Sequence, residues 1–360
     1  MHFRFITSTP LDILRGSGTF AGISTLAKFL RIAGQTVELA TPTFRLPVHT
    51  MERQVFNEML RLSPRTGSSI TVGFDMDGYT LAGTGRGLHV ASIKGVIADE
   101  MRFEAGLTKA TMRLQALCER RHVRRADLVI ATSRYSADRI QEFYGISNPP
   151  RVVPELIDLS AWRRLLQTNP APPAGHKFVV LAVCRFYPRK RLHILLGAAD
   201  RLRSKIPELE VRIVGNGPEA PRLKSICRRK GLQGIVTWLG NVSQAELAQE
   251  YAGCQVFCLP SVQEGFGIVF LEAMASAKPV VAARAGAAPE VVKHGILVDP
   301  DDKESLAGGI MRLYADPTLR AALAVKGSEW VQQFDAPLVA DSFKREVELA
   351  TNNRATACTA

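Results

Sequence analysis

No apolar run in this sequence approaches the roughly 18–20 residues that a bilayer-spanning helix requires. The N-terminus, Met1-His-Phe-Arg-Phe-Ile, has neither a long apolar core nor a small-residue cleavage site, so a secretory leader is not expected. Aromatic residues make up only 7% of the chain, and no basic motif of a nucleic-acid reader accompanies them, which argues against nucleic acid as a partner. Cysteine is sparse and scattered, at Cys118, Cys184, Cys227, Cys254, Cys258 and Cys358. The close pair Cys254 and Cys258 has no second Cys or His pair to complete a zinc set. The thiols read as small buried hydrophobes in a reducing compartment. These absences predict a cytoplasmic chain, with peripheral attachment to the inner face of the cell membrane as a variant.

Positive charge is what the chain has in excess. Its formal net charge of +12 favours anionic partners. The densest cluster, Arg120, Arg121, Arg124 and Arg125 around His122, lines one face of a helix. That face is either simply solvated or a contact for acidic lipid. The 360 residues, 46% hydrophobic and 22% charged, suffice for two globular domains.

Strand candidates Phe3–Thr7, Val37–Ala40, Ile70–Phe74, His89–Ile93 and Leu128–Ala131 alternate with helix candidates Ile23–Ala33, Ala105–Arg125 and Tyr135–Tyr144, the last capped by Ser133. A glycine-rich loop, Gly16 to Gly22, precedes the first helix. The basic stretch 45–69 carries several breakers and no assigned element. The proline-rich segment Gln167 to Lys177 reads as a linker. A second series follows, with strands Phe178–Val183, Val211–Val214, Val236–Leu239 and Gln255–Leu259 between helices Leu192–Leu202, Ala220–Lys230 and Ala245–Ala252. Short, fully apolar strands alternating with helices imply parallel sheets covered on both faces. The expected fold class is therefore α/β, two doubly wound Rossmann-like domains: 1–168, a linker at 169–177, 178–332, a C-terminal helix at 333–350 and a flexible tail at 351–360. Ligands in such domains sit outside the carboxyl ends of the strands.

Several residues stand at those ends. Arg185 and Lys190 flank a strand-to-helix turn, where cations and helix N–H groups can converge on a phosphate. Gly215, Asn216 and Gly217 form a tight turn after the next strand. Most informative is E-G-F-G-I-V-F-L-E, from Glu264 to Glu272. Its glycine turn, Gly265, Phe266, Gly267 and Ile268, offers backbone donors to an anionic ligand. Glu264 beside them suits sugar hydroxyls. Glu272, among apolar neighbours, is expected to be partly buried and to need a partner such as a ribose diol.

This ordered set resembles the retaining glycosyltransferase family 4, glycosyl transferases group 1, whose fold is GT-B. The match extends through Pro260, Ser261, Ala273, Met274, Ala275, Lys278, Gly286, Pro289, Glu290 and Gly295. The resemblance implies two domains facing a central cleft, with the C-terminal helix crossing back to the first. It gives Glu264 to the donor sugar, Glu272 to the ribose, and Arg185 with Lys190 to the diphosphate of a UDP-sugar or GDP-sugar, with no metal and no cofactor. The first half resembles the family's acceptor domain less tightly. There Ser17 and Gly18 stand where the family has Gly-Gly, making Gly18 and Thr19 diphosphate candidates, and Glu155-Leu156 replaces an Asn-Gly. Lys94 stands where the family often carries a histidine that touches the reacting sugar. His89 is nearby in sequence, and Asp75 and Asp77 either line the acceptor side or cap a turn. The implied activity is retaining hexosyl transfer to a hydroxyl acceptor. A sugar-nucleotide epimerase, a phosphorylase or a non-catalytic sugar-binding module would share the fold.

Overall fold

The computed structural model describes residues 1–9, 18–62, 70–85, 87–171 and 175–359. In chain order the first series of elements is β1 (His2–Ile6), α1 (Gly18–Ile32), β2 (Thr36–Ala40), α2 (His49–Leu62), β3 (Ile70–Phe74), β4 (His89–Ile93), α3 (Ile97–Glu100), α4 (Gly106–Arg125), β5 (Leu128–Ala131), α5 (Arg134–Tyr144) and β6 (Arg151–Val152). The second comprises α6 (Leu159–Thr168), β7 (Phe178–Val183), α7 (Leu192–Leu202), β8 (Leu209–Val214), α8 (Ala220–Arg229), β9 (Val236–Gly240), α9 (Gln244–Gly253), β10 (Val256–Leu259), α10 (Ile268–Ala275), β11 (Val280–Ala283), α11 (Ala288–Val291), β12 (Ile296–Val298), α12 (Lys303–Ala315) and α13 (Pro317–Trp330). α14 (Ala336–Thr359) ends the chain. The chain divides into two compact units, Met1–Leu156 with Ala336–Ala360, and Ile157–Asp335.

Unit 1 is a six-stranded sheet in the order β2-β1-β3-β4-β5-β6, with every pairing parallel. β3 and β4 are buried at every residue, as central strands covered on both faces are, and carry Thr71, His89 and Ser92 among their apolar residues. One face of the sheet packs under α1 and α14 through Phe3, Phe5, Leu26, Val339, Phe343 and Val347. The other packs under α3, α4 and α5 through Ile93, Ile97, Val123 and Ile140. Ser133 caps α5, its hydroxyl accepting from the Ser136 N–H at 3.0 Å. The polar tail expected at 351–360 is helical to Thr359. Its anchor is Arg354, which bonds the Asp127 carboxylate at 2.8 Å and the Gly85 carbonyl at 2.9 Å.

α2 occupies part of the stretch left unassigned in the sequence. It is inverted: Thr50, Glu52, Arg53 and Asn57 are buried on its inner face beside Phe56 and Leu60, while Met51, Val55, Met59 and Leu62 are exposed. Hydrophobic periodicity aimed at a core does not find such a helix.

Unit 2 has the sheet order β12-β11-β10-β7-β8-β9, again parallel throughout. Chain order reverses between β7 and β10, which makes the crevice outside their carboxyl ends the ligand position of a doubly wound sheet. Its core runs from Phe178, Val180 and Leu195 to Ile213, Val256 and Val281. The chain passes from unit 1 to unit 2 at Leu156/Ile157, ahead of the 169–177 segment taken from sequence as the linker. α6 is the reason. Asp158 caps it, accepting from the Ala161 N–H at 2.9 Å. Trp162 donates to the Ser276 hydroxyl at 3.0 Å, and its ring meets Tyr251 edge-on. No helix among the described residues is long and apolar enough to cross a membrane.

Candidate active site

The residues singled out in unit 2 converge on the carboxyl ends of β7, β8 and β10. The Gly215 turn lies against the segment that leaves β7: Phe186 N–H donates to the Asn216 carbonyl at 3.0 Å. Gly215 has φ +114, and a Cβ there would fall 1.9 Å from the Cys184 carbonyl oxygen. Only glycine permits that approach. Asn216 is exposed above it.

After β7, Arg185 is half-buried and has no ion-pair partner among the described residues. Lys190 ends a short 3-10 turn, Pro188–Lys190. Its Nζ donates to Oε1 of Glu264 at 2.5 Å, with both side chains nearly buried. Glu264 thus reaches its place from the end of β10, and the Glu264 main chain is held by Gly286: the Ala287 N–H donates to the Glu264 carbonyl at 3.0 Å. Gly286 has φ +58, and a Cβ there would lie 2.7 Å from the Glu264 nitrogen. Gly267, φ +92, forms the N-cap of α10 with no side-chain cap, so the first N–H groups of that helix depend on backbone or ligand. Gly265 and Phe266 are buried in the turn, and Ile268 opens the helix.

Glu272 sits one turn into α10, half-buried. Its Oε2 accepts from the Tyr251 hydroxyl at 2.9 Å. Desolvation raises its pKa to about 7, against the opposing effect of the Tyr251 hydrogen bond. The same burial and the neighbouring carboxylate push the Tyr251 hydroxyl well up. The carboxylate expected from the sequence to be partly buried and to need a partner has one, at a single oxygen, in Tyr251. Tyr251 itself gave no signal in the sequence. Nor did Gln263; its polar atoms and the hydroxyl of Ser261, a residue of the matched motif, are buried beside Glu264 with no hydrogen-bond partner among the described residues. Buried polar atoms left unsatisfied are rare, and those at a ligand crevice are natural ligand contacts.

In unit 1 the sequence candidates separate. Lys94, just past β4, and Asp75, just past β3, come together at carboxyl strand ends. Asp75 Oδ1 accepts the N–H of Lys94 at 2.7 Å and of Gly95 at 3.3 Å. Asp75 has φ +54, a left-handed position costly for a non-glycine residue. Desolvation raises its pKa to about 6, partly offset by Arg53 and the two N–H bonds. Lys94 Nζ pairs with Glu155 Oε1 at 3.1 Å.

Asp77 and His89 lie elsewhere. Asp77 is fully buried and accepts from the Ser8 N–H and hydroxyl, both at 2.7 Å, from Asn57 at 3.0 Å and from Arg53 at 3.2 Å. Its carboxylate is consumed in tying β1 and α2 to the turn. His89 is at the opposite end of β4 from Lys94 and is buried. Its Nε2 lies 2.8 Å from Nε2 of His122, whose Nδ1 meets the Asp75 carbonyl at 2.6 Å. Burial lowers the His122 pKa to about 4, so His122 is neutral near pH 7. Gly18 and Thr19 form the start of α1. Gly16 and Ser17 lie outside the described residues. Arg120, Arg121, Arg124 and Arg125 are all exposed on α4. Arg124 also donates to the Tyr144 carbonyl at 2.7 Å, and Arg121 lies over the Tyr79 ring.

A family model described as glycosyl transferases group 1 matches residues 167–330. A GDP-mannose-dependent alpha-(1-6)-phosphatidylinositol monomannoside mannosyltransferase of Mycolicibacterium smegmatis is 31% identical over 260 residues, covering 67% of this chain and 66% of the relative. A D-inositol 3-phosphate glycosyltransferase of Arthrobacter sp. is 32% identical over 238 residues, covering 61% of this chain and 56% of the relative. The chain thus spans about a third to two thirds of the length of the curated relatives it matches. Among solved structures, sucrose-phosphate synthase from Thermosynechococcus elongatus superposes with a TM-score of 0.81 at 22% identity, covering 97% of this chain and 98% of that one. Anabaena HepE in complex with UDP and glucose gives 0.71 at 21% identity, covering 96% and 99%. At such identities the likeness is one of fold, and the fold is GT-B.

Proposed function

Because the chain belongs to the group 1 glycosyltransferases, we propose that it moves a hexosyl group from a nucleoside-diphosphate sugar to a hydroxyl acceptor, with retention and without a metal ion. The observation that carries this reading is the cation set at the switch point of unit 2. Arg185 stands there without an ion-pair partner among the described residues, and Lys190 is within reach of the same turn. In the transfer, the bond from the anomeric carbon to the diphosphate oxygen breaks. The acceptor oxygen bonds to that carbon on the same face, and its proton passes to the departing phosphate. Negative charge grows on the diphosphate, where Arg185, Lys190 and the N–H groups at the start of α10, Ile268 first, stabilise it, with Gly265 in the same turn. Gly18 and Thr19, opening the 15-residue helix α1, offer further N–H groups to an anion.

Glu264 binds a sugar hydroxyl. Its tight pairing with Lys190 supports binding over nucleophilic attack, because a charge-neutralised carboxylate is a poor nucleophile. Glu272 accepts a ribose hydroxyl with the oxygen that Tyr251 leaves open. Lys94, pinned by Asp75, supplies a hydrogen-bond donor to a sugar hydroxyl in place of the family's histidine. Asn216 and Gly215 border the same crevice. The relatives' names favour GDP-mannose as the donor and an inositol-bearing acceptor; the named complexes of HepE also keep UDP-glucose in view. A thermal-shift panel of GDP-, UDP- and ADP-hexoses, followed by assay of hexose release, tests the reading. One donor should raise the melting temperature and be slowly hydrolysed. No stabilisation and no hydrolysis with any of them would refute it.

A further inference from the structure

Two of the places where unit 1 departs from the family pattern touch each other. Lys94 stands in for a histidine and Glu155 for an asparagine, and their side chains form an ion pair at 3.1 Å. They leave two different strand ends: Lys94 follows β4, and Glu155 follows β6. The pair is only 6% and 5% exposed, so a lysine here without Glu155 would be a buried, uncompensated cation. Together the two charges cancel, as two neutral side chains would.

A third residue belongs to the unit. Gly22 lies inside α1, where glycine is less favourable than alanine, and no positive φ calls for it. A Cβ at Gly22 would fall 2.4 Å from Glu155 Oε2, and the three nearest atoms to it all belong to Glu155. The missing side chain makes the space that Glu155 occupies. The pair is poorly arranged for stability alone. Among the described residues, Glu155 Oε2 is buried with no hydrogen-bond partner, and Lys94 Nζ, which has three N–H groups, has one acceptor and the Phe74 ring at 5.9 Å. The backbone of Lys94 is already held by Asp75. What Glu155 adds is a fixed position for the ammonium.

We propose that Glu155, seated on the bare Cα of Gly22, is a positioning residue that holds the Lys94 ammonium as a hydrogen-bond donor to a hydroxyl of the sugar substrate. This rests on the glycosyltransferase reading above. The experiment uses the full chain and the variants Glu155→Gln, Gly22→Ala, Lys94→His, Glu155→Asn and the double Lys94→His/Glu155→Asn. Each is measured for melting temperature, for affinity toward GDP and GDP-mannose (UDP and UDP-glucose in parallel), and for donor-hydrolysis kcat and KM. Misplacing the ammonium should lower kcat on the order of 10- to 100-fold. It should also remove the affinity that the hexose adds over the free nucleotide, while nucleotide affinity itself stays. Gly22→Ala should do this with both charged groups intact, and the double variant should recover activity beyond either single one. Unchanged kcat and hexose increment in Glu155→Gln and Gly22→Ala would overturn the inference alone, as would losses that merely follow melting temperature. If the unaltered chain binds no nucleotide sugar, the functional reading falls and this inference with it.

Discussion

Glu272 combines a raised pKa with a single open carboxylate oxygen. Its folded pKa of about 7 lies above the ordinary 4.5, so the folded state holds the extra proton between those values. The sign follows: the contribution of this group to stability is full below the ordinary value and is lost as pH rises through about 7. A ribose hydroxyl donates a stronger hydrogen bond to the carboxylate than to the acid, so binding runs the other way. Donor affinity should weaken by up to about tenfold per pH unit below the folded pKa. Titration calorimetry between pH 6 and pH 8 measures this, and Glu272→Gln should flatten the profile; an equally steep profile in that variant would remove Glu272 from the ribose. The sequence showed Glu272 as a carboxylate in apolar company, which carries most of this reasoning. It did not show Tyr251, because the contact joins α9 to α10 and nothing local in the chain marks it.

Two glycine turns carry the site at the level of elements. Gly215→Ala places a methyl group against the Cys184 carbonyl at a left-handed φ, and should destabilise unit 2 by about 3 kcal/mol or more in urea melts. A cost under about 1 kcal/mol would mean the turn yields, and the close approach of β7 and β8 ends would not be a requirement. Strand ends and glycine turns were legible because they rest on local chemistry: apolar runs, a glycine and then a helix start. α2 was not legible, since its inner face carries Arg53 and Asn57 for the sake of Asp77. Asp77 and His89 were not resolved by sequence for a related reason. Strand alternation says which face a residue takes but not whether a partner such as His122 closes over it. Because His122 is held neutral, with its pKa lowered from 6.5 to about 4, its stabilising effect is complete above the ordinary value and lost as pH falls through about 4. Urea melts should show unit 1 weakening over that interval.

At the scale of the molecule, the sequence did not show the exposed apolar residues of unit 1 beside the α4 arginines. Val48, Met51, Val55, Met59 and Leu62 are exposed on or just before α2, and Leu107, Leu114 and Leu117 on α4. α2 and α4 are joined through Gln115, which bonds Thr50 at 2.7 Å and Arg53 at 3.1 Å. Arg120, Arg121 and Arg124 share the second helix. We propose that these apolar residues and the α4 arginines meet a bilayer with anionic headgroups, as a lipid-borne acceptor would require. Flotation with phosphatidylglycerol vesicles should capture the chain at low salt, and Met59→Glu with Leu117→Glu should abolish capture; no capture, or capture by neutral vesicles alone, would exclude this face. The most direct test of the donor site is calorimetric titration of GDP-mannose and UDP-glucose into the unaltered chain and into Arg185→Ala. Loss of charge-assisted bonds to the diphosphate should weaken the preferred donor about 10- to 100-fold. The melting temperature should stay unchanged, since Arg185 pairs with no acid among the described residues. Equal affinity in the two proteins would contradict a diphosphate site at the carboxyl end of β7.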